Sequence, residues 1–296
     1  MEKAEVLIIG GGAAGMAAAV AAGRKGYRKI LLADRGEKPG GILLQCAHKG
    51  FGQGYYHEEL TGPEYAGRFA EEFSKVPVTS WFSTMAVDVS SDRTALLSGR
   101  WGVHRVGFDK LIFATGCRER TLYSQNIAGT RPAGIMTCGM AQKLMNIDGL
   151  EIGDDVVILG TGDIGQIIAR QLIESGKNVI AMIEKEKEPG GMQRNRIRCI
   201  EEYAIPVITD STITRIHGRQ RITAVTVTNL RTGQESRLPC KTLLTAIGLI
   251  PEMDLARKIE TDGRLPKWAL KTGNCDTVHE IVDAVTADAL KLESIL

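Results

Sequence analysis

The sequence predicts an α/β protein made of two nested Rossmann-like (three-layer) domains, each carrying a small antiparallel meander. Three observations lead there. VLIIGGGAAG at residues 6–15 returns as VVILGTGDIG at residues 156–165, so Gly10, Gly12 and Gly15 recur as Gly160, Gly162 and Gly165 at a constant offset of 150 residues. The register holds downstream, pairing Gly26 with Gly176, Asp34 with Glu184, and Pro39-Gly40-Gly41 with Pro189-Gly190-Gly191. The strand-like runs FDKLIFATG and LLTAIG stand on either side of the second copy, so the chain reads as one domain interrupted by another.

Each copy opens on a short apolar run, residues 6–9 and 156–159, of the kind that forms a parallel strand buried on both faces. The first glycine permits a tight turn, the second lets backbone approach a pyrophosphate, and the third lets helix pack on strand. Helices are expected at 13–25 and 164–175, their free N–H groups offered to phosphates. Gly26 and Gly176 stand where left-handed residues would end those helices. Asp34 and Glu184 close the next strands, where a carboxylate can accept hydrogen bonds from an adenosine ribose. The pattern therefore implies two dinucleotide sites.

With 296 residues, 43% of them hydrophobic, the chain can bury a large core and is expected to form two domains. A net charge of +2 supports neither a nucleic-acid nor an anionic-membrane partner. The polar start and the glycines interrupting the first apolar run fit neither a signal peptide nor a spanning helix, so a cytoplasmic protein without membrane insertion is expected. Cysteines at 46, 117, 138, 199, 240 and 275 show no C-x-x-C spacing, so no metal site is expected and most are read as small buried hydrophobes.

Beyond the first copy, residues 40–65 form a glycine- and aromatic-rich stretch without a period, of a length that usually carries function. A helix is expected at 63–74, a meander over 78–108 with turns near residues 90–92 and 98–100, and a separate buried strand from 108. In the inserted domain, strands are expected at 205–209, 213–217, 222–229, 236–239 and 243–247. A closing helix is expected over 278–292.

GGGAAG, ATG at 114–116, the second G-x-G-x-x-G, AIGLIP at 246–251 and TGN at 272–274 stand in the order used by the pyridine nucleotide-disulfide oxidoreductase superfamily, which the chain resembles over nearly its whole length. The resemblance implies an FAD domain from residues 1–118 and 247–296 and an NAD(P) domain inserted at 119–246. It implies that Gly10, Gly12 and Gly15 hold the FAD pyrophosphate, Asp34 its ribose, and Gly40 and Gly41 the space beside the phosphates. Thr115 and Gly116 would mark the crossover, and Gly160, Gly162, Gly165 and Glu184 would bind the nicotinamide dinucleotide. Further cofactor contacts are implied at Ala14, Arg35, Gln45, Val87, Ile164, Gly248, Gly273 and Asn274. The last of these stands where the superfamily usually has aspartate on the ribityl chain; asparagine can still accept and donate there. The stretch between Pro251 and Gly273 is short, so a hairpin or strand near the flavin is expected to be missing. The larger disulfide-reductase architecture, with its carboxy-terminal dimerisation domain, is not expected. In MTCGMA, Cys138 is followed three residues on by Ala141, which argues against a thioredoxin or peroxiredoxin substrate.

GGILLQCAHKGFG, EELTGPEYAGRF, ATGCRERT, GTRPAGIMTCGMAQ and TGNCDTVHEIVD make the chain more closely similar to small flavoproteins encoded beside anaerobic-type glycerol-3-phosphate dehydrogenases. That similarity implies hydride exchange between NAD(H) and FAD, with electrons passed to or from a partner dehydrogenase subunit in a homo- or hetero-oligomer. A carboxylate at 184 would bond a ribose 2′-OH and repel a 2′-phosphate, so NAD is expected over NADP; Lys185 and Lys187 temper that preference, since either could turn toward a phosphate, but are read first as part of a solvated charge run. Cys46, twelve residues beyond Asp34 and near His48, is the candidate catalytic thiol of an alternative peroxidase or disulfide-reductase function, since a neighbouring imidazole can lower a thiol pKa. A non-catalytic flavin-binding subunit is the third alternative. Arg118 and Arg120 are read as partners for a phosphate or a carboxylate, or as a solvated linker pair.

Overall fold

The structure, a computed structural model, describes residues 2–296. The chain divides into two compact units, Met1–Arg118 with Ile250–Leu296, and Glu119–Leu249.

The first unit begins with β1 (Glu2–Ile9), α1 (Ala13–Lys25) and β2 (Ile30–Ala33). Gly26 then takes a left-handed φ of 106° and stops α1, as its lack of a Cβ allows. After the 40–61 segment come α2 (Gly62–Phe73), β3 (Val78–Trp81), β4 (Thr84–Ser90), β5 (Thr94–Gly99) and β6 (Gly102–Phe113). Thr61 starts α2 with a reciprocal cap, accepting from Glu64 N–H while Glu64 accepts from Thr61 N–H. The expected break at residue 108 is absent. β6 is a single strand whose first half, from Gly102 to Gly107, pairs antiparallel with β5 and whose second half, from Val106 to Phe113, pairs parallel with β1; at the overlap Gly107 pairs with Thr94 on one side and Lys3 on the other without leaving the extended conformation.

The second unit repeats the plan with β7 (Ile135–Thr137), α3 (Cys138–Asn146), β8 (Val156–Leu159), α4 (Asp163–Glu174), β9 (Val179–Ile183) and β10 (Val207–Ile208). A meander of β11 (Ser211–Gly218), β12 (Ile222–Asn229) and β13 (Glu235–Pro239) follows, then β14 (Thr242–Thr245). Its parallel sheet has the order β7-β14-β8-β9-β10. Back in the first unit, β15 (Ala269–Lys271) joins the sheet parallel to β6, giving β3-β2-β1-β6-β15 for the parallel part. The shortened 251–273 segment thus keeps a strand, its hairpin reduced to the bridge between Thr261 and Arg264. The closing helix α5 (Val282–Leu290) starts four residues later than expected, because the Asn274 side chain accepts the His279 N–H at 2.9 Å and holds the intervening residues in a turn.

Burial alternates identically in the two first strands. Val6 and Ile8 face the α1, α2 and α5 layer, while Leu7 and Ile9 face the meander. Val156 and Ile158 likewise face α3 and α4, and Val157 and Leu159 face the second meander. All eight are at most 5% exposed, and each full burial contributes about 1.5–3 kcal/mol. This two-sided burial is why these strands read as unbroken apolar runs. Among the described residues, no helix is long and apolar enough to cross a membrane.

Candidate functional site

Both glycine turns are built by the same bonds. Gly10 N–H donates to Ala33 O at 2.9 Å and Gly160 N–H to Ile183 O at 2.8 Å, turning each chain sharply off its strand. Ala114 N–H then reaches Ile9 O at 2.8 Å and Ala246 N–H reaches Leu159 O at 2.7 Å, so a small residue from another strand end walls each turn. A Cβ on Gly10 would stand 2.2 Å from Ala114 O, and one on Gly160 would stand 2.3 Å from Ala246 O. A Cβ on Gly15 would lie 1.7 Å from Gly10 O, which is the close helix-to-strand approach its position requires.

The middle glycines differ. A Cβ on Gly12 would meet nothing within 4 Å, and one on Gly162 would meet only Ala246 O at 3.8 Å. Each caps its helix with no side-chain hydrogen bond and fills no space before it, so the backbone at the start of α1 and α4 is left to receive a phosphate. The residues present therefore fit a dinucleotide pyrophosphate in both units.

The acids close onto the same turns. Asp34 Oδ2 accepts from Gly11 N–H and Oδ1 from Gly36 N–H, both at 2.5 Å. Glu184 Oε2 accepts from Thr161 N–H at 3.1 Å and from the Thr161 hydroxyl, and Oε1 accepts from Glu186 N–H at 3.1 Å. Gly40 N–H donates to Gly11 O at 2.9 Å, and a Cβ on Gly41 would lie 3.1 Å from Gly12 Cα, so the glycine pair packs against the first turn. In the second unit the corresponding loop is tied by side chains: Gly190 N–H to Thr161 Oγ1, and Gln166 Nε2 to both Thr161 O and Gly190 O. Asp163 begins α4, its Oδ1 accepting Met192 N–H at 2.8 Å, and Ile164 and Gly165 follow it in the first turn. Gly11, Thr161, Gln166, Ala114 and Ala246 are thus parts of the two turns that motif reading passes over. The polar Thr and Gln inside otherwise apolar repeats were the available signal.

Other expected site residues have varied surroundings. Gly273, with φ +65°, packs on Ala14, and its N–H donates to Asp288 at 3.1 Å. The Asn274 amide is engaged with His279 N–H and lies 3.7 Å from Cys117 Sγ. Thr115 Oγ1 donates to Glu252 O at 2.6 Å, and Gly116 O accepts Glu252 N–H at 2.9 Å. Gln45 is buried and Arg35 exposed. Val87 sits exposed on β4, its carbonyl accepting from Lys258 Nζ at 3.4 Å. Gly248 is exposed in the second unit, its carbonyl accepting from Arg120 N–H. Arg118 pairs with the Glu252 carboxylate at 3.2 Å.

Cys46 is not placed as a reactive thiol. It is buried, its S–H donates to Ile42 O at 3.3 Å, and burial pushes its pKa up to about 12. The nucleophile of such chemistry is the thiolate, which this environment disfavours, while His48 Nδ1 bonds Lys49 O at 3.1 Å. Cys138 is fully buried at the start of α3, its pKa also raised by burial.

The family model described as pyridine nucleotide-disulphide oxidoreductase matches residues 4–267. Among curated relatives, the chain is 26% identical to thioredoxin reductase of Streptomyces coelicolor, over 84% of this chain and 75% of that one. It is also 26% identical to sarcosine oxidase subunit alpha of Rhizobium meliloti over 68% of this chain, but spans only 21% of that protein's length. The crystal structure of T. acidophilum thioredoxin reductase superposes with a TM-score of 0.79 at 19% identity, covering 100% of this chain and 98% of that one, which establishes the shared fold. With its two glycine turns, their acids and this match across most of its length, the chain belongs to the pyridine nucleotide-disulphide oxidoreductase family, whose enzymes use FAD and NAD(P)H.

Proposed function

We propose that the chain exchanges a hydride between NAD(H) and FAD and passes electrons to or from a partner dehydrogenase subunit of the glycerol-3-phosphate type. The observation that carries this reading is the repeated bond from a glycine-turn N–H to an acid, Gly11 to Asp34 and Thr161 to Glu184, beside two open middle glycines. In the first unit Gly10, Gly12, Gly15, Gly40 and Gly41 hold the FAD pyrophosphate, and Asp34 orients its ribose. FAD, when bound, supplies the hydride chemistry, and the protein supplies binding and orientation. In the second unit Gly160, Gly162 and Gly165 receive the nicotinamide dinucleotide.

Glu184 favours NAD over NADP. Three donors already occupy its carboxylate, which has about four acceptor positions, so Oε1 keeps one for a ribose hydroxyl and has nothing to give a 2′-phosphate. Lys185 lies 3.4 Å from Glu186, which draws its charge to the neighbouring carboxylate. The partner is supported by the passages shared with flavoproteins encoded beside such dehydrogenases, and by a relative whose name makes it one subunit of an oxidase.

Anaerobic titration of the purified protein tests the reading. Flavin absorbance should bleach on adding NADH and far less on adding NADPH. Adding a glycerol-3-phosphate dehydrogenase subunit should then let glycerol 3-phosphate reduce NAD. Protein that is colourless and takes up no flavin on reconstitution would overturn the proposal.

A further inference from the structure

We propose that Thr161 is a positioning residue that sets the choice between NADH and NADPH by holding Glu184 in place; this rests on the reading of the second unit as the nicotinamide site. The two cradles differ at this position. The first has Gly11, and its glycine loop bonds the turn directly through Gly40 N–H and Gly11 O. Its acid is an aspartate, short enough to be held by backbone N–H groups alone. The second has a threonine that is 0% exposed and an acid one methylene longer, 8% exposed.

A longer side chain has one more torsion to fix, and the threonine hydroxyl fixes it. The hydroxyl has one proton, which it gives to Glu184 Oε2, so it stands as acceptor to Gly190 N–H at 2.8 Å. Its own backbone N–H gives Oε2 a second bond at 3.1 Å. Gln166, also fully buried, closes the ring by donating to Thr161 O and Gly190 O, each at 2.7 Å. The threonine therefore joins the acid, the glycine turn and the loop after the acid in one buried network. With Oε2 saturated by these two bonds, Oε1 is the oxygen left to meet the adenosine ribose, and the carboxylate cannot swing aside to admit a 2′-phosphate.

Thr161→Val keeps the shape and removes the hydroxyl. The dissociation constants of NADH and NADPH for protein whose bound FAD has first been reduced with dithionite, measured by anaerobic calorimetric titration, read the effect with no hydride to transfer. NADH binding should weaken about tenfold with NADPH binding little changed, so the preference for NADH falls about tenfold. Thr161→Ser should match wild type within twofold, and Thr161→Val added to Glu184→Ala should leave the ratio where Glu184→Ala alone puts it. Thr161→Ala serves as a second hydroxyl-free variant should the valine protein fail to fold. Wild type that binds neither dinucleotide would overturn the nicotinamide reading and this inference with it. Wild type that prefers NADH, with a ratio unchanged by loss of the hydroxyl, would overturn this inference alone.

Discussion

Gly273 lies so close to Ala14 that a Cβ added to it would stand 2.6 Å from the alanine's own. The contact joins the last quarter of the chain to the first helix, at the first glycine turn. Gly273 also holds φ +65°, which an L side chain rarely adopts. Gly273→Ala should therefore cost about 1–3 kcal/mol from overpacking alone, with flavin lost more readily than from wild type. Thermal unfolding followed in parallel by circular dichroism and flavin fluorescence checks this.

The glycines of each turn should separate by variant. Gly15→Ala drives a methyl toward Gly10 O, so the turn must shift; the cost should be about 3 kcal/mol, which lowers Tm by roughly 6–12 °C. Gly12→Ala meets only open space at an ordinary φ of −74°, so it should fold with near wild-type stability yet lose FAD. Gly162→Ala should fold, keep its FAD and lose NADH binding. Differential scanning calorimetry with flavin and NADH titrations distinguishes the three, and a Gly12→Ala protein that retains full flavin would count against the first cradle.

Asp34→Asn should weaken flavin retention. Both carboxylate oxygens accept a backbone N–H at 2.5 Å, and an amide presents a donor to one of them. A part-buried N–H left facing another donor costs about 1–3 kcal/mol, which, if taken wholly from flavin affinity, corresponds to roughly fivefold to 150-fold weaker binding. Equilibrium dialysis against FAD gives the change directly.

Cys46 should behave as an inert core thiol. Cys46→Ser should keep NADH-to-dye turnover within about twofold of wild type, and alkylation at pH 8 should be slow until the protein unfolds. Its pKa of about 12 in the fold lies above the ordinary 9.0, so from about pH 9 upward the unfolded chain sheds this proton first. The stability contribution is full below pH 9 and falls as pH rises toward 12. Urea unfolding of wild type and Cys46→Ala between pH 8 and 10.5 should show the steeper decline in wild type.

Much of this protein is written locally. Apolar runs, glycine spacing and acids at a constant offset determine two Rossmann-like units, because a strand, its tight turn and the helix after it are set by neighbours in sequence. Gly26 ending α1 and Thr61 starting α2 are of the same kind. What residues 40–65 do not disclose by any period is settled by partners distant in sequence, with Tyr55 and Tyr56 donating to Glu72 and Gly54 N–H donating to Asp283. Whether Cys46 is a thiolate beside a histidine or a buried thiol on Ile42 O depends on the solvent left around it after packing, which spacing does not encode. The same holds for Thr161 and Gln166: their residue types are plain in the chain, but only the folded loop brings Gly190 onto them and turns three separate polar groups into one network.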